Sequence, residues 1–475
     1  MEQLSGMDAT FLNMETARAP LHISSLSIYD QSSAPGGLVT FKGILANVER
    51  RLPLARCFRQ RVVFPPLGLD HPYWIEDPDF DLEFHVRHIA LPKPGDWRQL
   101  CIQVARIHAR PLDLAKPLWE MYVIEGLDEV EDLPPGSFAI MSKIHHAAID
   151  GVSGMEIVSA IHDLEPDAEP PRVEDRWVAE AEPSFLEMAV RTSINSIRQP
   201  VRFARVLGEV APPALRALWE RREVEEDDEE ETRRAKVPRT RFNGRVSPHR
   251  VFDAKTFSLA DVKQIRKAVQ GATVNDVVLA TCGGALRRYL DHHHELPRES
   301  LAAFAPISVR SEDQAGTAGN QVSGMLASMH TDEGEPIERL RKVHHSTIES
   351  KEMTRAIGAR SMTDVTHFMP GMLAGISGRL VARTGLMSRM NPIAHAVVSN
   401  VPGPQVPLYF TGARMVAGFG MGLPLDGMGL FHAVMSYNGS ITISVTSCRT
   451  LLPDPAFYAE CLEESFRELR EAAVT

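Results

Sequence analysis

The 475-residue sequence contains few cysteines, and they form none of the patterns that bind metals or build disulfide frameworks. Only the last two of the five, Cys448 and Cys461, are close in the chain, and no CxxC or zinc-ribbon spacing occurs. We therefore expect reduced thiols in the protein core and a reducing compartment.

A membrane-spanning segment and an export signal are also missing from the sequence. No run of about 18 apolar residues occurs. The opening stretch MEQLSGMDATFL lacks the basic start and apolar run of a signal peptide. We therefore expect a cytoplasmic protein whose only possible membrane contact is peripheral.

Several catalytic and nucleotide-binding motifs are absent. There is no GxSxG nucleophile elbow, no GxxxxGK[ST] phosphate loop and no HExxH zinc motif. The stretch GFGMGLPLDG, which begins at Gly418, does not match the GxGxxG spacing. A nucleophilic serine, a nucleoside triphosphate and a nicotinamide cofactor are therefore not indicated.

Clustered positive charge is absent as well. The net charge is −11, and most of it comes from the acidic run Glu223–Glu231, which holds eight acidic residues. Because nucleic-acid binding rests on clustered Lys and Arg that neutralise phosphates, we expect no nucleic-acid partner.

What the sequence does contain indicates two domains. The chain is too long for one compact core, and its contents of 44% hydrophobic and 24% charged residues are typical of a globular protein. Strand-like and helix-like stretches alternate in residues 1–165 and again in residues 246–475. We predict two α/β subdomains joined by a linker, residues 166–245, that contains an amphipathic helix and an acidic loop.

The clearest individual elements flank the motifs of interest. Leu21–Asp30 and Ser137–Ile144 have the pattern of strands, whereas Trp97–Leu112 and Thr273–Leu290 have helical spacing. Gly151–Leu164 is predicted to be a helix entered from a tight loop.

The amphipathic segment of the linker, Ser184–Val210, has two interpretations. Its apolar residues are interleaved with Arg191, Arg198, Arg202 and Arg205. Such a helix can lie on a lipid surface. The same pattern more often marks a helix packed on its own domain with solvated arginines.

Three histidine clusters are present, and only one has the surroundings of a reactive site. His292–His294 lie in a polar stretch after a helix, and His344 and His345 lie in a charged helical stretch typical of a solvent-facing surface. By contrast, His145 and His146 follow an apolar strand and precede an Asp–Gly pair.

The pattern favours a general base among these two histidines. Successive side chains of a strand point to opposite faces, so only one of His145 and His146 can face a given cleft. Zinc binding is disfavoured because adjacent histidines diverge and no third clustered ligand follows. Buried structural imidazoles are the other alternative. The His–Asp–Gly arrangement with Asp150 and Gly151 favours general-base chemistry, since imidazole titrates near neutrality.

The segment HHAAIDG, residues 145–151, matches the HHxxxDG signature of the acyltransferases related to chloramphenicol acetyltransferase. The stretches LSGMDATFL, PLDLAKPLWE, FNGRVSPHR and NDVVLA resemble the bacterial wax ester synthase/diacylglycerol acyltransferase family. This resemblance covers nearly the whole chain. It implies two chloramphenicol-acetyltransferase-like α/β subdomains with mixed sheets and an active-site channel between them.

The resemblance also implies residue roles. In the family the second histidine of the motif is the general base, which here is His146. Acyl-CoA is the implied co-substrate, and because a thioester is already activated, no covalent intermediate, cofactor or metal is expected. Asp150 is expected to shape the turn through an ion pair with an arginine. Apart from the resemblance, we expect Gly151 to permit the turn and His145 to be an orienting or structural residue.

Two further family elements each allow two interpretations. Asn275 and Asp276 resemble a motif associated with activity, but capping of the following helix explains them equally well. Pro117, Leu118 and Trp119 resemble the family's PLW element, for which a tryptophan packed on a loop is the alternative.

Two apolar stretches complete the resemblance. Met369–Met390 is rich in Met, Leu and Gly, a composition suited to a long-chain pocket or, more commonly, to core packing. Ser399–Pro404, the sequence SNVPGP, resembles a family segment without an assigned role and is predicted to be a strand that ends in a turn.

Together these observations predict an O-acyltransferase that moves a long-chain fatty acyl group from acyl-CoA to diacylglycerol or a long-chain fatty alcohol. We expect it in the cytoplasm, at the inner membrane face or on a lipid droplet. The alternatives are a CoA-dependent acyltransferase with a different alcohol or amine acceptor, and an inactive lipid-binding droplet protein. The intact His146, Asp150 and Gly151 favour an enzyme, since a binder needs no base.

Overall fold

The computed structural model describes residues 1–149, 160–169, 174–175, 177–195, 238–308, 322–357, 380 and 383–474. Within these ranges the chain forms two six-stranded mixed sheets, a small three-stranded sheet and the helices that cover them.

The first large sheet, here called the N-terminal sheet, contains four strands from the first half of the chain and two from the second. In spatial order these are β12 (Tyr409–Phe410), β13 (Ala413–Met421), β2 (His22–Asp30), β7 (Phe138–His145), β6 (Trp119–Glu125) and β5 (Val86–Ala90). Only the β5–β6 pair is parallel.

The second large sheet, the C-terminal sheet, comes entirely from residues after 249. In spatial order its strands are β10 (Val322–Ser328), β9 (Ala302–Ser308), β11 (Ala396–Val401), β14 (Phe431–Tyr437), β15 (Ser440–Cys448) and β8 (Arg250–Ser258). Strand β11 is parallel to both of its neighbours. The small sheet has the order β1 (Glu2–Gln3), β4 (Tyr73–Glu76) and β3 (Gln60–Val63).

In chain order, the helices described over their whole length are α1 (Gly6–Met14), α2 (Phe41–Arg51), α3 (Leu82–His85), α4 (Trp97–His108), α5 (Leu259–Ile265), α6 (Val274–His292), α7 (Pro336–Ile357) and α8 (Pro455–Ala472). The first six each follow a residue whose side chain accepts a backbone N–H of the first turn. Before α4, for example, the Asp96 carboxylate accepts the Gln99 N–H at 2.7 Å.

Helix α4 joins the two large sheets into one packed body. Its buried residues Leu100 and Val104 share a core cluster with Leu26 of the N-terminal sheet and Phe252 of the C-terminal sheet. The Trp97 indole N–H also donates a hydrogen bond to the Asp253 carboxylate at 3.0 Å. The space between the sheets is therefore fixed by packing on a shared helix.

The two sheets do not correspond to the two halves of the sequence. Strands β12 and β13 belong to the second half of the sequence but extend the N-terminal sheet, where β13 pairs with β2. The boundaries at residues 165 and 245 are sequence predictions, and they do not anticipate this exchange. A period-two pattern identifies a strand but carries no information about which sheet the strand joins.

The predicted individual elements are confirmed where the structure describes them. Strands β2 and β7 and helices α4 and α6 lie within one to four residues of their predicted bounds. The helix predicted for Gly151–Leu164 lies mostly outside the described residues.

Candidate active site

The two histidines of the motif stand where a strand changes into a turn. Strand β7 ends at His145, and His146 opens a single 3-10 turn, His146–Ile149. His145 is completely buried, whereas His146 is half-buried. Asp150 and Gly151 lie outside the described residues, so their expected roles stay predictions.

His146 is held from two sides. Its backbone N–H donates to the Leu21 carbonyl at 2.9 Å, which ties the start of the turn to the segment before β2. Its imidazole stacks on the Phe11 ring of α1, with ring centroids 4.1 Å apart and an interplanar angle of 25°. The position and the plane of this imidazole are therefore both fixed.

The surroundings of His146 keep its imidazole neutral. Burial and, to a lesser extent, the adjacent His145 lower the pKa of His146 to about 4, although the polar contact with its own backbone acts in the opposite direction. The Nδ1 atom is buried and has no hydrogen-bond partner among the described residues. At neutral pH this side chain therefore carries a lone pair able to accept a proton.

His145 is constrained by contacts that leave no free lone pair. Its Nδ1 accepts the Ala147 N–H at 3.1 Å, and its Nε2 lies 3.5 Å from a Glu15 carboxylate oxygen. Because Nδ1 is an acceptor, the neutral ring carries its proton on Nε2, which faces the carboxylate. His145 is thus held in a fixed position, and its role stays a prediction.

Glu15 is a site residue that the sequence analysis missed. One of its carboxylate oxygens accepts the Leu21 N–H at 3.2 Å, and the other faces His145. The Leu21 carbonyl in turn receives the N–H of His146. Glu15 therefore faces His145 directly and holds Leu21, the residue whose carbonyl accepts the His146 N–H. Glu15 is the C-cap of α1, and nothing in the local sequence indicates its contact with a histidine so much later in the chain.

The PLW element packs beneath the motif. Leu118 is completely buried, shares a core cluster with Ala147, and accepts the His145 N–H on its carbonyl at 2.9 Å. The Trp119 indole donates to the Phe58 carbonyl at 2.9 Å. Pro117 closes a tight turn by accepting the Trp119 N–H at 2.8 Å. The structure gives this element a packing role, with Trp119 at the start of β6 rather than on a loop.

A buried polar network lies on the other face of β7. The Lys143 ammonium donates to the Arg110 carbonyl at 2.8 Å and lies 3.3 Å from a Glu120 oxygen, which also accepts the Tyr122 hydroxyl at 2.9 Å. Burial lowers the pKa of Lys143, whereas Glu120 acts in the opposite direction. This network fills the sheet face that points away from the half-buried edge of His146.

Asp276 has the capping role that was one of its two interpretations. It forms a capping box with Thr273 at the start of α6, in which its carboxylate accepts the Thr273 N–H at 2.8 Å. Burial alone would raise the pKa of Asp276, but hydrogen bonds from Thr273, Thr347 and His344 outweigh it and lower the pKa. Asn275 is half-buried and makes no hydrogen bond to a described residue, so its role stays a prediction.

The other two histidine clusters are surface or structural groups, with one difference from expectation. His292 and His294 are exposed, and His345 is 76% exposed. His344, however, was predicted to face solvent and instead donates from Nδ1 to Asp276 at 2.9 Å. Helix α7 packs on α6, so the position of His344 depends on a tertiary contact that a charge pattern cannot reveal.

Metal-binding clusters and membrane-spanning helices can be assessed for the described residues alone. In those ranges no group of three His, Cys, Asp or Glu side chains is arranged to hold a metal ion. No described helix is both long and apolar enough to cross a bilayer.

Comparison with known proteins identifies the family of the chain. The family model for the wax ester synthase/diacylglycerol acyltransferase catalytic domain matches residues 4–278, and that for the C-terminal domain of the same family matches residues 318–470. A putative diacylglycerol O-acyltransferase of Mycobacterium tuberculosis is 35% identical over 476 residues, covering 100% of this chain and 91% of the relative.

Solved structures share the fold. The wax ester synthase/diacylglycerol acyltransferase from Marinobacter aquaeolei VT8 matches with a TM-score of 0.69 and 28% identity, covering 100% of both chains. The starter condensation domain of rhizomide synthetase, at 12% identity and a TM-score of 0.51 over 100% of this chain and 94% of its own, supports the two-subdomain fold alone. The chain therefore belongs to the wax ester synthase/diacylglycerol acyltransferase family.

Proposed function

We propose that this protein transfers a long-chain acyl group from acyl-CoA to the hydroxyl of diacylglycerol, of a long-chain fatty alcohol, or of both, with His146 as general base. Family membership supports the reaction class. The observation that carries the catalytic assignment is the neutral, half-buried imidazole of His146, stacked on Phe11 at the end of β7.

The contacts of His146 support a specific proton route. The Nδ1 atom is buried and makes no hydrogen bond to a described residue, so we assign the reactive lone pair to Nε2 and the ring proton to Nδ1. Nε2 accepts the proton of the alcohol while the alcohol oxygen attacks the thioester carbonyl. The C–S bond then breaks, and the proton passes to the leaving thiolate, which gives an ester and free CoA. Acyl-CoA is a co-substrate in this scheme, and no cofactor or metal takes part.

The experiment is a CoA-release assay on the purified full-length protein. Palmitoyl-CoA is offered with dioleoylglycerol, hexadecanol, hexadecylamine or a sugar alcohol, and the product is identified by mass spectrometry. The proposal predicts ester formation with at least one of the two lipid alcohols, at a rate well above that with the amine or the sugar alcohol. Preferred transfer to hexadecylamine would replace the proposed acceptor class, and no CoA release with any acceptor would favour a lipid-binding protein.

We further propose that the helical residues 185–195 contact the lipid surface in which such acceptors reside. Leu186, Val190 and Ile194 recur every four residues on one side of this helix and are exposed by 72%, 51% and 46%. The opposite side carries the buried Met188, and Asn195 donates to Asp70 at 2.8 Å. A helix that is anchored on one side and apolar on its exposed side suits a peripheral lipid contact.

The described part of this segment favours apolar rather than arginine contacts with lipid. Arg191 is paired with Glu187 at 3.2 Å, and Arg198, Arg202 and Arg205 lie outside the described residues. Flotation with phosphatidylglycerol-containing liposomes tests the distinction. Replacing Leu186, Val190 and Ile194 together by Gln should abolish flotation, whereas Arg191→Gln should reduce it less. An unchanged triple variant would exclude this helix as the lipid contact.

A further inference from the structure

The loop between α1 and β2, residues Glu15–Leu21, holds the HHxxxDG motif through its two ends. At one end the Glu15 carboxylate faces His145, with 3.5 Å between the carboxylate oxygen and Nε2. At the other end the Leu21 carbonyl accepts the His146 N–H at 2.9 Å. The position of this loop therefore affects the position of both histidines.

The tip of the loop is a closed turn. The Thr16 N–H donates to the Ala19 carbonyl at 3.2 Å, and the Ala19 N–H donates to the Thr16 carbonyl at 3.0 Å. The Thr16 hydroxyl also accepts the Ala19 N–H, at 3.1 Å. Arg18 lies inside this turn, so we expect the turn and Arg18 to move as one unit.

This tip is attached to the C-terminal half of the chain at three points. The Arg18 guanidinium donates to the Val246 carbonyl at 3.3 Å and lies 3.6 Å from an Asp426 carboxylate oxygen. The Arg18 carbonyl accepts an N–H of the Arg250 guanidinium at 2.7 Å. The Ala19 side chain packs in the main core cluster of the C-terminal half. The loop that carries the motif contacts is thus held from the other half of the protein.

Arg250 joins the two halves directly. This last residue of the FNGRVSPHR stretch is 5% exposed and donates to the Ser247 carbonyl at 2.6 Å as well as to the Arg18 carbonyl. A planar guanidinium presents two N–H groups side by side, which suits two neighbouring carbonyls. Burial lowers the pKa of Arg250 to about 10, while Cys448 and Asp426 act in the opposite direction, so the group stays charged at neutral pH.

The acidic partner of Arg18 is fixed by the same stretch. The second carboxylate oxygen of Asp426 accepts the Val246 N–H at 2.9 Å. The carbonyl of the next residue, Gly427, accepts the Asn243 amide at 2.9 Å. The surface that receives Arg18 therefore consists of groups that are already bonded to one another.

We infer that Arg18 and Arg250 are positioning residues for the acyl transfer, because through the Glu15–Leu21 loop they fix His146 relative to the C-terminal half. The inference rests on the proposed function for the reaction, whereas the contact between the loop and the C-terminal half rests on geometry alone. A shift of a reacting group by about 1 Å can lower a rate roughly 100-fold. Loosening the loop should therefore lower kcat without changing substrate binding.

Arg18→Met tests the inference, since it removes the guanidinium and keeps a long side chain. We expect kcat per folded molecule to fall roughly tenfold at unchanged KM, because the loop loses its charged contacts with the C-terminal half. Arg18→Lys keeps the positive charge and should recover part of the rate. If Arg18→Met folds poorly, Arg250→Lys enters the same contact from the other side and should lower kcat in the same way.

Arg245→Met is the matched control. Arg245 lies 3.8 Å from the same Asp426 oxygen as Arg18, but it belongs to the C-terminal half and is 54% exposed. It also donates to the Arg383 carbonyl, in the described end of Met369–Met390. Most of that stretch lies outside the described residues, so its interpretation as a long-chain pocket stays a prediction. Because exposed ion pairs contribute little, the control should keep kcat within about twofold of the wild-type value.

Amide hydrogen exchange separates this inference from the proposed function. The His146 N–H is protected by the Leu21 carbonyl, so a loosened loop should speed its exchange. In a peptide that contains His146 we expect exchange to be roughly tenfold faster in Arg18→Met and unchanged in Arg245→Met. This outcome supports the positioning of the histidine even if no acceptor is ever acylated.

The remaining outcomes count against the inference. Equal kcat in the wild-type protein and Arg18→Met would overturn it even if acyl transfer is demonstrated. Unchanged exchange in Arg18→Met would also overturn it, because a loss of rate would then come from another contact of Arg18. An equal loss in Arg18→Met and Arg245→Met would indicate a general effect of charge near Asp426, and a change confined to KM would indicate substrate binding.

Discussion

The two faces of strand β7 have opposite surroundings. Met141, Lys143 and His145 point into a fully buried layer, where the lysine and the histidine are bonded to fixed partners. On the other face Ser142 and Ile144 are only half-buried, and the half-buried His146 continues their pattern just past the strand end. The comparison shows how adjacent histidines can differ. Both nitrogens of the His145 imidazole face protein groups, whereas the His146 imidazole keeps a nitrogen that can accept a proton.

Replacing each histidine by alanine should have the largest effect and tests the difference between the two side chains directly. His146→Ala should lower kcat by about 10²–10⁴-fold, because the alcohol then lacks a proton acceptor. His145→Ala should lower kcat less and should lower the melting temperature instead, because it leaves the Ala147 N–H buried without its acceptor. CoA release and thermal unfolding of both variants decide the matter. Equal loss of kcat in two folded variants would refute the division of roles.

The buried face is tested next by Lys143→Met, which keeps the approximate volume of the side chain. We expect a loss of about 2 kcal/mol in the free energy of unfolding, because Glu120 and the Arg110 carbonyl lose the ammonium, although Arg87 and Tyr122 still contact Glu120. Urea denaturation measures the loss. The activity per folded molecule should change only a few-fold, and a larger selective loss of kcat would place Lys143 in the chemistry.

Glu15→Gln tests whether the carboxylate that contacts Leu21 and faces His145 positions the catalytic histidine. The variant keeps an oxygen for the Leu21 N–H but removes the charge that faces His145. Loss of one charge-assisted contact, about 1.5 kcal/mol, predicts a roughly tenfold lower kcat at unchanged KM. Glu15→Asp should recover part of the rate. A change confined to KM would argue for substrate contact instead of positioning.

The smallest expected effect concerns pH. The pKa of His146 is lowered to about 4, so the imidazole stays neutral as the pH falls from 8 to 6 and loses its basic form only as the pH falls through about 4. We therefore expect kcat/KM to be nearly flat between pH 6 and 8, with the acidic decline below pH 5. A decline centred near pH 6.5 would show that His146 titrates as an ordinary solvated histidine.

The local parts of this structure could be predicted from the sequence. Period-two alternation located β2 and β7, and the Thr–Val–Asn–Asp sequence marked the start of α6. The strand followed by a turn is also a local property, but it left the choice between His145 and His146 open, and only the family resemblance of HHxxxDG pointed to His146.

The parts that depend on distant segments could not be predicted. Glu15 reaches His145 from 130 positions earlier in the chain, and His344 bonds to Asp276 across two helices. Pairing partners are a tertiary property, and composition alone does not encode them.

The insertion of β13 beside β2 has a consequence for how the protein is made. Until β13 has been synthesised, the edge of β2 that pairs with it has free N–H and C=O groups. Such an edge can pair with other nascent chains. The two halves must therefore mature together. We expect a truncation that ends before residue 409 to give an aggregation-prone fragment with an unpaired sheet edge and not an independently folding domain.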